Sequence, residues 1–293
     1  MGYLNLIPTT TDIKKKMEKL RIALAQIQVK TGRPRENIEK IAAFTRRAAK
    51  EGAAMICFPE LCVHGYNRER AHLNAEEIPG ESSLAISALA RETGLVILAG
   101  LAEKSGSPRP FITQLAAFPD GRLEKYRKTH LGNSELPYFT LGDAFPVFST
   151  EKARFGIAIC WDLHFPEVTA IYSLKGAEII FAPHASPAYV GDRKDVWLKY
   201  LPARAYDNSV YIAACNLTGE DGGQTFCGGA IVIDPKGNVA AEAFPGREDL
   251  LIADLDPALI NTIRGRESAS MRHSFFLAGR RPELYGELVK RKG

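Results

Sequence analysis

Apolar and polar positions alternate in blocks along the chain, and the blocks read as strands and helices in turn. Residues 20–29 read as a strand. Pro34–Lys50 reads as an amphipathic helix, with Ile38, Ile41, Ala42, Ala48 and Ala49 along one stripe. Residues 53–58 make a second strand that halts at Pro59 and Glu60. Residues 82–93 suit a helix and 95–102 a strand. Two further strands, 112–118 and Leu123–Arg127, are joined by P-D-G, in which Pro119 sets φ and Gly121 tolerates positive φ. The second half repeats this style. It predicts strands at 155–159, 177–182, 210–216 and 250–254, and helices at Pro166–Leu174 and 194–208. Pro202 lies inside the last helical pattern and predicts a kink or two helices. A second hairpin spans 230–243 and turns at D-P-K-G, residues 234–237.

Several of these strands are apolar at every position, so both of their faces are covered. Helices on both sides of one doubly wound sheet would achieve that. The strands, with two hairpins among them, are too many for the few helices available. The expected fold is therefore an α/β, four-layer α-β-β-α sandwich of two face-to-face mixed sheets. One domain is expected over 20–276. Residues 1–19 fall outside the pattern as an N-terminal extension, an arm or a disordered segment, and 277–293 form a C-terminal tail. There is no internal repeat and no low-complexity linker.

Composition narrows the function classes. The 293 residues are 45% apolar and 25% charged, ordinary values for a soluble globular protein. The net charge of +4 is spread among interspersed acids and bases, so no nucleic-acid-binding stripe is expected. No apolar run approaches the roughly 20 residues that span a membrane. Leu6 occupies the Ser/Thr position of a myristoylation signal, and no secretory leader is expected. The five cysteines are odd in number, widely spaced and without a C-x-x-C pair. A disulfide framework is not expected, and a reducing, cytoplasmic setting is.

Three polar residues stand where strands end. Glu60 follows M-I-C-F-P, Lys128 follows R-L-E-K-Y-R, and Cys160 follows F-G-I-A-I. Strand ends in α/β architectures face a common crevice. A free thiol has a pKa of about 8.5 and is mostly protonated at neutral pH. A carboxylate with a raised pKa could take its proton during attack. A lysine ammonium could hold the oxyanion of a tetrahedral intermediate, and the backbone N–H of Trp161 could share that task. The set suits acyl transfer from an amide-like carbon to sulfur and then to water.

These segments together resemble the nitrilase superfamily of carbon–nitrogen hydrolases. The resemblance rests on F-P-E-L at 58–61, Y-R-K-T-H-L at 126–131 and G-I-A-I-C-W-D-L-H-F-P-E at 156–167. It continues through R-A-Y-D-N at 204–208 and R-R-P-E-L-Y at 280–285. It implies the same sandwich, with Cys160 as nucleophile, Glu60 as general base and Lys128 as oxyanion stabiliser. Glu135, in S-E-L-P-Y-F-T-L-G, matches a second glutamate often present in the family. It would position Lys128 or the leaving nitrogen. No metal and no organic cofactor is implied. The implied assembly is a homodimer or larger, with the tail crossing to a partner subunit.

The implied substrate is a small-molecule amide or N-carbamoyl compound. Nitrile hydrolysis is the nearest rival, although true nitrilases of the family carry C-W-E where this chain has C-W-D at 160–162. A synthetase would need a nucleotide-binding domain, and a membrane acyltransferase would need spanning helices; neither is expected. A non-catalytic scaffold on the same fold would not need all four site residues intact. Tyr66, His130, Phe165, His184 and Arg193 are candidates for the substrate pocket, with Trp161 as a further wall. Packing is the alternative for the aromatics, a structural hydrogen-bonded role for His184, and a surface ion pair for Arg193. His130, His164 and His184 also leave a Cys–His site open, but no ligand spacing supports a metal. Cys57, Cys62, Cys215 and Cys227 are read as packing residues.

Overall fold

A computed structural model describes residues 16–264 and 275–290 of the chain. The first half builds one sheet. β1 (Leu20–Gln26) leads to α1 (Pro34–Lys50), β2 (Met55–Cys57), the short α2 (Ala71–Asn74), α3 (Glu81–Thr93) and β3 (Val96–Glu103). β4 (Phe111–Ala117) and β5 (Leu123–Arg127) complete it. The second half runs through β6 (Phe148–Ser149), β7 (Arg154–Ile157), α4 (Pro166–Leu174), β8 (Ile179–His184), α5 (Arg193–Leu198) and α6 (Leu201–Asn208). It continues with β9 (Tyr211–Asn216), a small hairpin of β10 (Thr218–Asp221) and β11 (Gln224–Cys227), then β12 (Ala230–Ile233) and β13 (Val239–Ala243). β14 (Asp249–Leu255) crosses back to the edge of the first sheet, and α7 (Pro257–Arg264) follows.

Two six-stranded sheets result, ordered β14-β1-β2-β3-β4-β5 and β13-β12-β9-β8-β7-β6. Each has a parallel centre and antiparallel flanks. In the first, Leu24 lies opposite Cys57 and Cys57 opposite Leu98. In the second, Ile157 lies opposite Phe181 and Phe181 opposite Ala213. The sheets pack face to face. Cys57 Sγ of β2 lies 3.9 Å from Cys215 Sγ of β9, and the rings of Phe118 and Phe155 are 6.3 Å apart. Outside the first sheet, α1 buries Ile41, Thr45 and Ala48, and α3 buries Ile86 and Ala90. Outside the second, α4 buries Val168 and Tyr172, and α6 buries Leu201 and Ala205. The layers are therefore α-β-β-α, as the apolar strands demanded. Because each central strand is sandwiched, its C-terminal end is one of the few places where polar side chains can emerge.

The differences from the sequence expectation are local. The helix expected over 194–208 is two helices, with Pro202 in the first turn of α6, where a missing N–H costs nothing. The β10–β11 hairpin was not expected, since T-G-E-D and Q-T-F-C carry little apolar content. Its turn is Gly222-Gly223, both at positive φ (57° and 78°), the backbone that a tight hairpin requires. That Gly-Gly pair was the available signal. α7 was also missed; it starts on Pro257 and buries Ile260 and Ile263.

The expected boundary at residue 20 falls late. Met17 is 2% exposed, its carbonyl accepts from Asn261 Nδ2, and the Glu18 N–H donates to the Lys152 carbonyl. Residues 1–15 of the expected extension lie outside the described residues, as do 265–274 at the end of the expected domain and 291–293 of the tail. The described tail forms short helical turns over Phe276–Gly279, Pro282–Leu284 and Gly286–Val289. Phe276 packs on Tyr206 at 5.4 Å between ring centroids. Among the described residues no helix is long and apolar enough to cross a membrane.

Candidate active site

β2 ends at Cys57, and Phe58 continues toward β3 by donating its N–H to the Leu98 carbonyl. The chain then folds across β3, and Glu60 is carried inward, wholly buried. Gly100 makes room for this. A Cβ there would lie 2.3 Å from the Leu61 nitrogen and 2.8 Å from the Pro59 carbonyl oxygen, so any side chain would displace the glutamate's turn. Leu61 itself has a positive φ of 52°.

Lys128 follows β5, with its N–H bonded to the Ile112 carbonyl and its own carbonyl accepting from Gly142. The backbone is thus held on both sides, and the side chain is 1% exposed. Nζ donates to Glu60 Oε1 at 2.8 Å and to Glu135 Oε1 and Oε2 at 2.8 and 2.9 Å. Glu135 sits on the turn after Lys128, whose geometry it fixes by accepting the Gly132 N–H at 2.8 Å. It also accepts from the Tyr66 hydroxyl at 2.7 Å. The second oxygen of Glu60 accepts the Ala185 N–H at 3.0 Å, which reaches in from the other sheet.

Cys160 opens a helical turn, Cys160–His164, separated from the end of β7 at Ile157 by Ala158 and Ile159. Its φ is 45°, a left-handed conformation that costs a non-glycine residue about 1–3 kcal/mol. Cys160 is partly exposed on this sharp turn, whereas Glu60, Lys128 and Glu135 are buried. Sγ lies 3.4 Å from Ser186 Oγ. Asp162 braces the turn. It accepts the Ile159 N–H, the Tyr126 and Thr129 hydroxyls and the His130 N–H, and so ties the cysteine's turn to the loop that presents Lys128.

Burial and charge then separate the ionisations of these groups. Glu60 is raised to about 7 by burial, with the Glu135 charge pushing the same way and Lys128 opposing. Burial also pushes Glu135 up, but the Lys128 charge and the Gly132 and Tyr66 donors overcome it and hold the carboxyl below its ordinary value. Lys128 resists the effect of burial because two carboxylates surround it, and it stays raised. Cys160 is pushed up to about 12, chiefly by burial and next by the charge of Glu60. One carboxylate is thus ionised beside a fixed cation, and the other titrates near neutrality. Such a split marks a base that can exchange a proton at working pH.

The sequence profile described as carbon-nitrogen hydrolase matches residues 21–265, most of the chain. The chain belongs to the carbon–nitrogen hydrolases. A nitrilase of Pyrococcus abyssi (strain GE5 / Orsay) is 33% identical over 250 residues, covering 84% of this chain and 93% of the relative. The human omega-amidase NIT2 is 30% identical over 260 residues, covering 85% and 92%. Among solved structures, the amidase from Nesterenkonia sp. AN1, as a cysteine-to-alanine mutant in complex with butyramide, matches with a TM-score of 0.80 at 28% identity. That match covers 92% of this chain and 97% of the other. A glutamate mutant of the same amidase carries the acetamide moiety of fluoroacetamide on its active-site cysteine; it matches at TM-score 0.78 and 28% identity, over 92% and 97% of the chains. This enzyme is an amidase-like member of the nitrilase superfamily.

Within this carbon–nitrogen hydrolase, the structure sorts the residues expected from sequence. Glu60, Lys128 and Glu135 form one hydrogen-bonded cluster whose charges act on Cys160, and Tyr66 joins it through Glu135. Trp161 is 41% exposed and lies over the Gly132 turn, at the rim of the site. His184 is buried and bonded within the scaffold. Its Nδ1–H donates to the Ala182 carbonyl and its Nε2 accepts from Trp197 Nε1, so both ring nitrogens are committed. His130 and Phe165 stack on each other at 3.9 Å between centroids, and His130 Nδ1 bonds Asp162. Neither ring bonds the four-residue cluster, and both act with Asp162 to support the turn. Among the described residues the sulfur bonds Ser186 alone, so none of His130, His164 and His184 is paired with it as a Cys–His site would require. Arg193 is not the surface residue it could have been; it is 3% exposed.

Ser186 and Asp162 were not picked out as site residues. Ser186 was available to the same strand-end reasoning that selected His184, two residues earlier. Asp162 was read as a marker against nitrilases. Its five hydrogen bonds, to Tyr126, Thr129, His130 and Ile159, tie the cysteine's turn to the 126–130 loop.

Proposed function

We propose that the enzyme hydrolyses small-molecule amides through a thioester on Cys160. The observation that carries this reading is the buried Glu60–Lys128–Glu135 cluster placed against a partly open cysteine on a strained strand-end turn. As sulfur attacks the amide carbon, its proton passes to Glu60. With the thiol held near 12 and Glu60 near 7, a resting thiolate is rare, so proton loss accompanies S–C bond formation. The oxyanion is held by Lys128 and the Trp161 N–H. Two of the lysine's bonds go to one carboxylate, so a shift onto a single Glu135 oxygen frees an N–H for the new oxyanion. Glu60 then returns the proton to the leaving nitrogen, and ammonia departs. Water attacks the thioester with Glu60 again as base, which releases the acid and restores the thiol.

The chemistry described for the Nesterenkonia amidase, a butyramide complex and a covalent adduct on its cysteine, supports this reading. The Pyrococcus relative's name keeps nitrile hydrolysis as the second reading. Ammonia release from butyramide, a monosubstituted urea and butyronitrile separates them. Butyramide should be hydrolysed, and added hydroxylamine should divert the thioester to a hydroxamate. Release from the nitrile alone would replace the reading, and release from none would remove it.

The pH dependence follows from Glu60. The base must be ionised in the free enzyme, so kcat/KM should rise with pH and level off above about 7. Removing the Glu135 charge lowers the cost of ionising Glu60. In Glu135→Gln the acidic limb should therefore move to lower pH, alongside a loss in kcat. A limb that stays in place or moves up would show that Glu60 is not the titrating group.

A further inference from the structure

Among the described residues Ser186 is the one side chain that bonds the reacting sulfur, and the thioester mechanism leaves it without a task. The fold brings it there from a neighbouring strand. β7 and β8 run parallel, with Ile157 opposite Phe181, and the Ala158 N–H donates to the Phe181 carbonyl. Both strands therefore open onto the same end of the second sheet, β7 toward Cys160 and β8 toward Ser186. Ser186 is 7% exposed, and its Oγ lies 3.4 Å from Cys160 Sγ. Among the described residues that hydroxyl makes no other hydrogen bond.

A third strand fixes the position of Ser186. β9 lies beside β8, with Asn216 opposite His184. Asn216 is wholly buried. It accepts the Ser186 N–H on Oδ1 at 2.8 Å and donates from Nδ2 to the Ser186 carbonyl at 3.1 Å. The amide is itself oriented, because Nδ2 also donates to the Gly228 carbonyl at 3.2 Å. One side chain thus clamps both polar groups of the Ser186 backbone. The preceding Ala185 N–H meets Glu60 at 3.0 Å. The same clamped turn touches the base with one residue and the nucleophile with the next.

The direction of the bond follows from what the sulfur must do. A thiol that donated to Ser186 would aim its proton at the hydroxyl instead of at the base. A hydroxyl that donates to a sulfur lone pair leaves the S–H for Glu60, whose charge acts on the thiol. Burial and then the Glu60 charge make the Cys160 thiolate costly, while the Lys128 charge and the Ser186 hydrogen bond work against them. Hydrogen bonds to an ionised group are the strong ones, so this bond tightens as charge builds on sulfur. We propose that Ser186 is a further catalytic residue, whose hydroxyl donates to the Cys160 sulfur while the S–C bond forms and again while it breaks. This deepens the thioester reading and rests on it. In acylation the S–H proton goes to Glu60, the sulfur electron pair forms the bond to carbon, and the Ser186 proton stays on its oxygen. In hydrolysis the attacking water gives its proton to Glu60, and the S–C pair returns to sulfur. Ser186 holds that thiolate until Glu60 passes the proton back.

Ser186→Ala tests this. Alanine keeps both backbone bonds to Asn216, and the lost hydroxyl bonded only the sulfur, so the variant should fold with a Tm close to that of wild type. Its kcat and kcat/KM for butyramide should both fall, by about 10- to 100-fold, since both steps lose the donor. The acidic limb of its pH profile should stay where it is in wild type. That limb separates a donor from a spacer, because a disturbed turn would weaken the Ala185 bond that lowers the Glu60 pKa, and the limb would move up. A readout independent of turnover is alkylation of Cys160 by iodoacetamide at fixed pH, followed by mass spectrometry. Losing the donor reduces the thiolate fraction, and the more basic sulfur recovers part of the rate, so alkylation should slow by at least about threefold. A variant that keeps the wild-type rate in either assay, or whose acidic limb moves up, would overturn the proposal while leaving the amidase reading intact. A wild-type protein inactive toward every amide would sink that reading, and alkylation would then decide alone: a slowed variant supports Ser186 as the donor to sulfur, and an unchanged one overturns it.

Discussion

Lys128→Met is expected to cost about 3–5 kcal/mol of folding stability and to lower kcat by about 100- to 1,000-fold. Lys128 is buried and its ammonium faces two carboxylates within 2.9 Å. Methionine fills much the same volume but removes the cation. Glu135 keeps the Gly132 and Tyr66 donors, yet its negative charge is then uncompensated in a buried site. It must take a proton or destabilise the fold. Urea denaturation and ammonia release measured on the same sample check both halves. The double variant Lys128→Met, Glu135→Gln separates them, because it removes both charges together. It should regain part of the stability and none of the activity. A single variant as stable as wild type would show that the lysine is not the counter-charge of the cluster.

The second large effect reverses that balance. Cys160→Ala should reduce turnover by at least about 10,000-fold and leave the fold intact, with Tm changed by only a few degrees. The thiol is neutral, being held near 12, so removing it disturbs no ion pair. Its one hydrogen bond is the 3.4 Å contact with Ser186, and alanine accepts the 45° φ no worse than cysteine. Iodoacetamide should label Cys160 in the wild-type protein ahead of Cys57, Cys62 and Cys215, which are buried. Substantial ammonia release by the alanine variant would end the thioester mechanism. Together the two variants distinguish a residue that does chemistry at no structural cost from one that serves both ends.

The strand ends explain why much of this was legible in the chain. An apolar run with both faces covered predicts a sandwich, and the point where it stops predicts where polar side chains meet. Glu60, Lys128 and Cys160 all follow that rule. Pro202 and the P-D-G turn were readable for the same local reason, since each restricts a few backbone torsions regardless of context. His184 obeyed the rule too, yet both its ring nitrogens are bonded within the scaffold. A strand end states that a side chain can reach the crevice, and says nothing of the Trp197 indole waiting behind it.

By itself, then, the amino-acid order determined the layered fold, the positions where the chain surfaces from it, and the kinds of chemical group set there. Only the tertiary structure decided which groups act on one another. The bond from Ala185 to Glu60 and the brace from Asp162 to the lysine loop both depend on segments far apart in sequence. Periodicity is a property of neighbouring residues. Electrostatic pairing, by contrast, is a property of distances of a few ångströms that exist only once the two sheets have closed on each other.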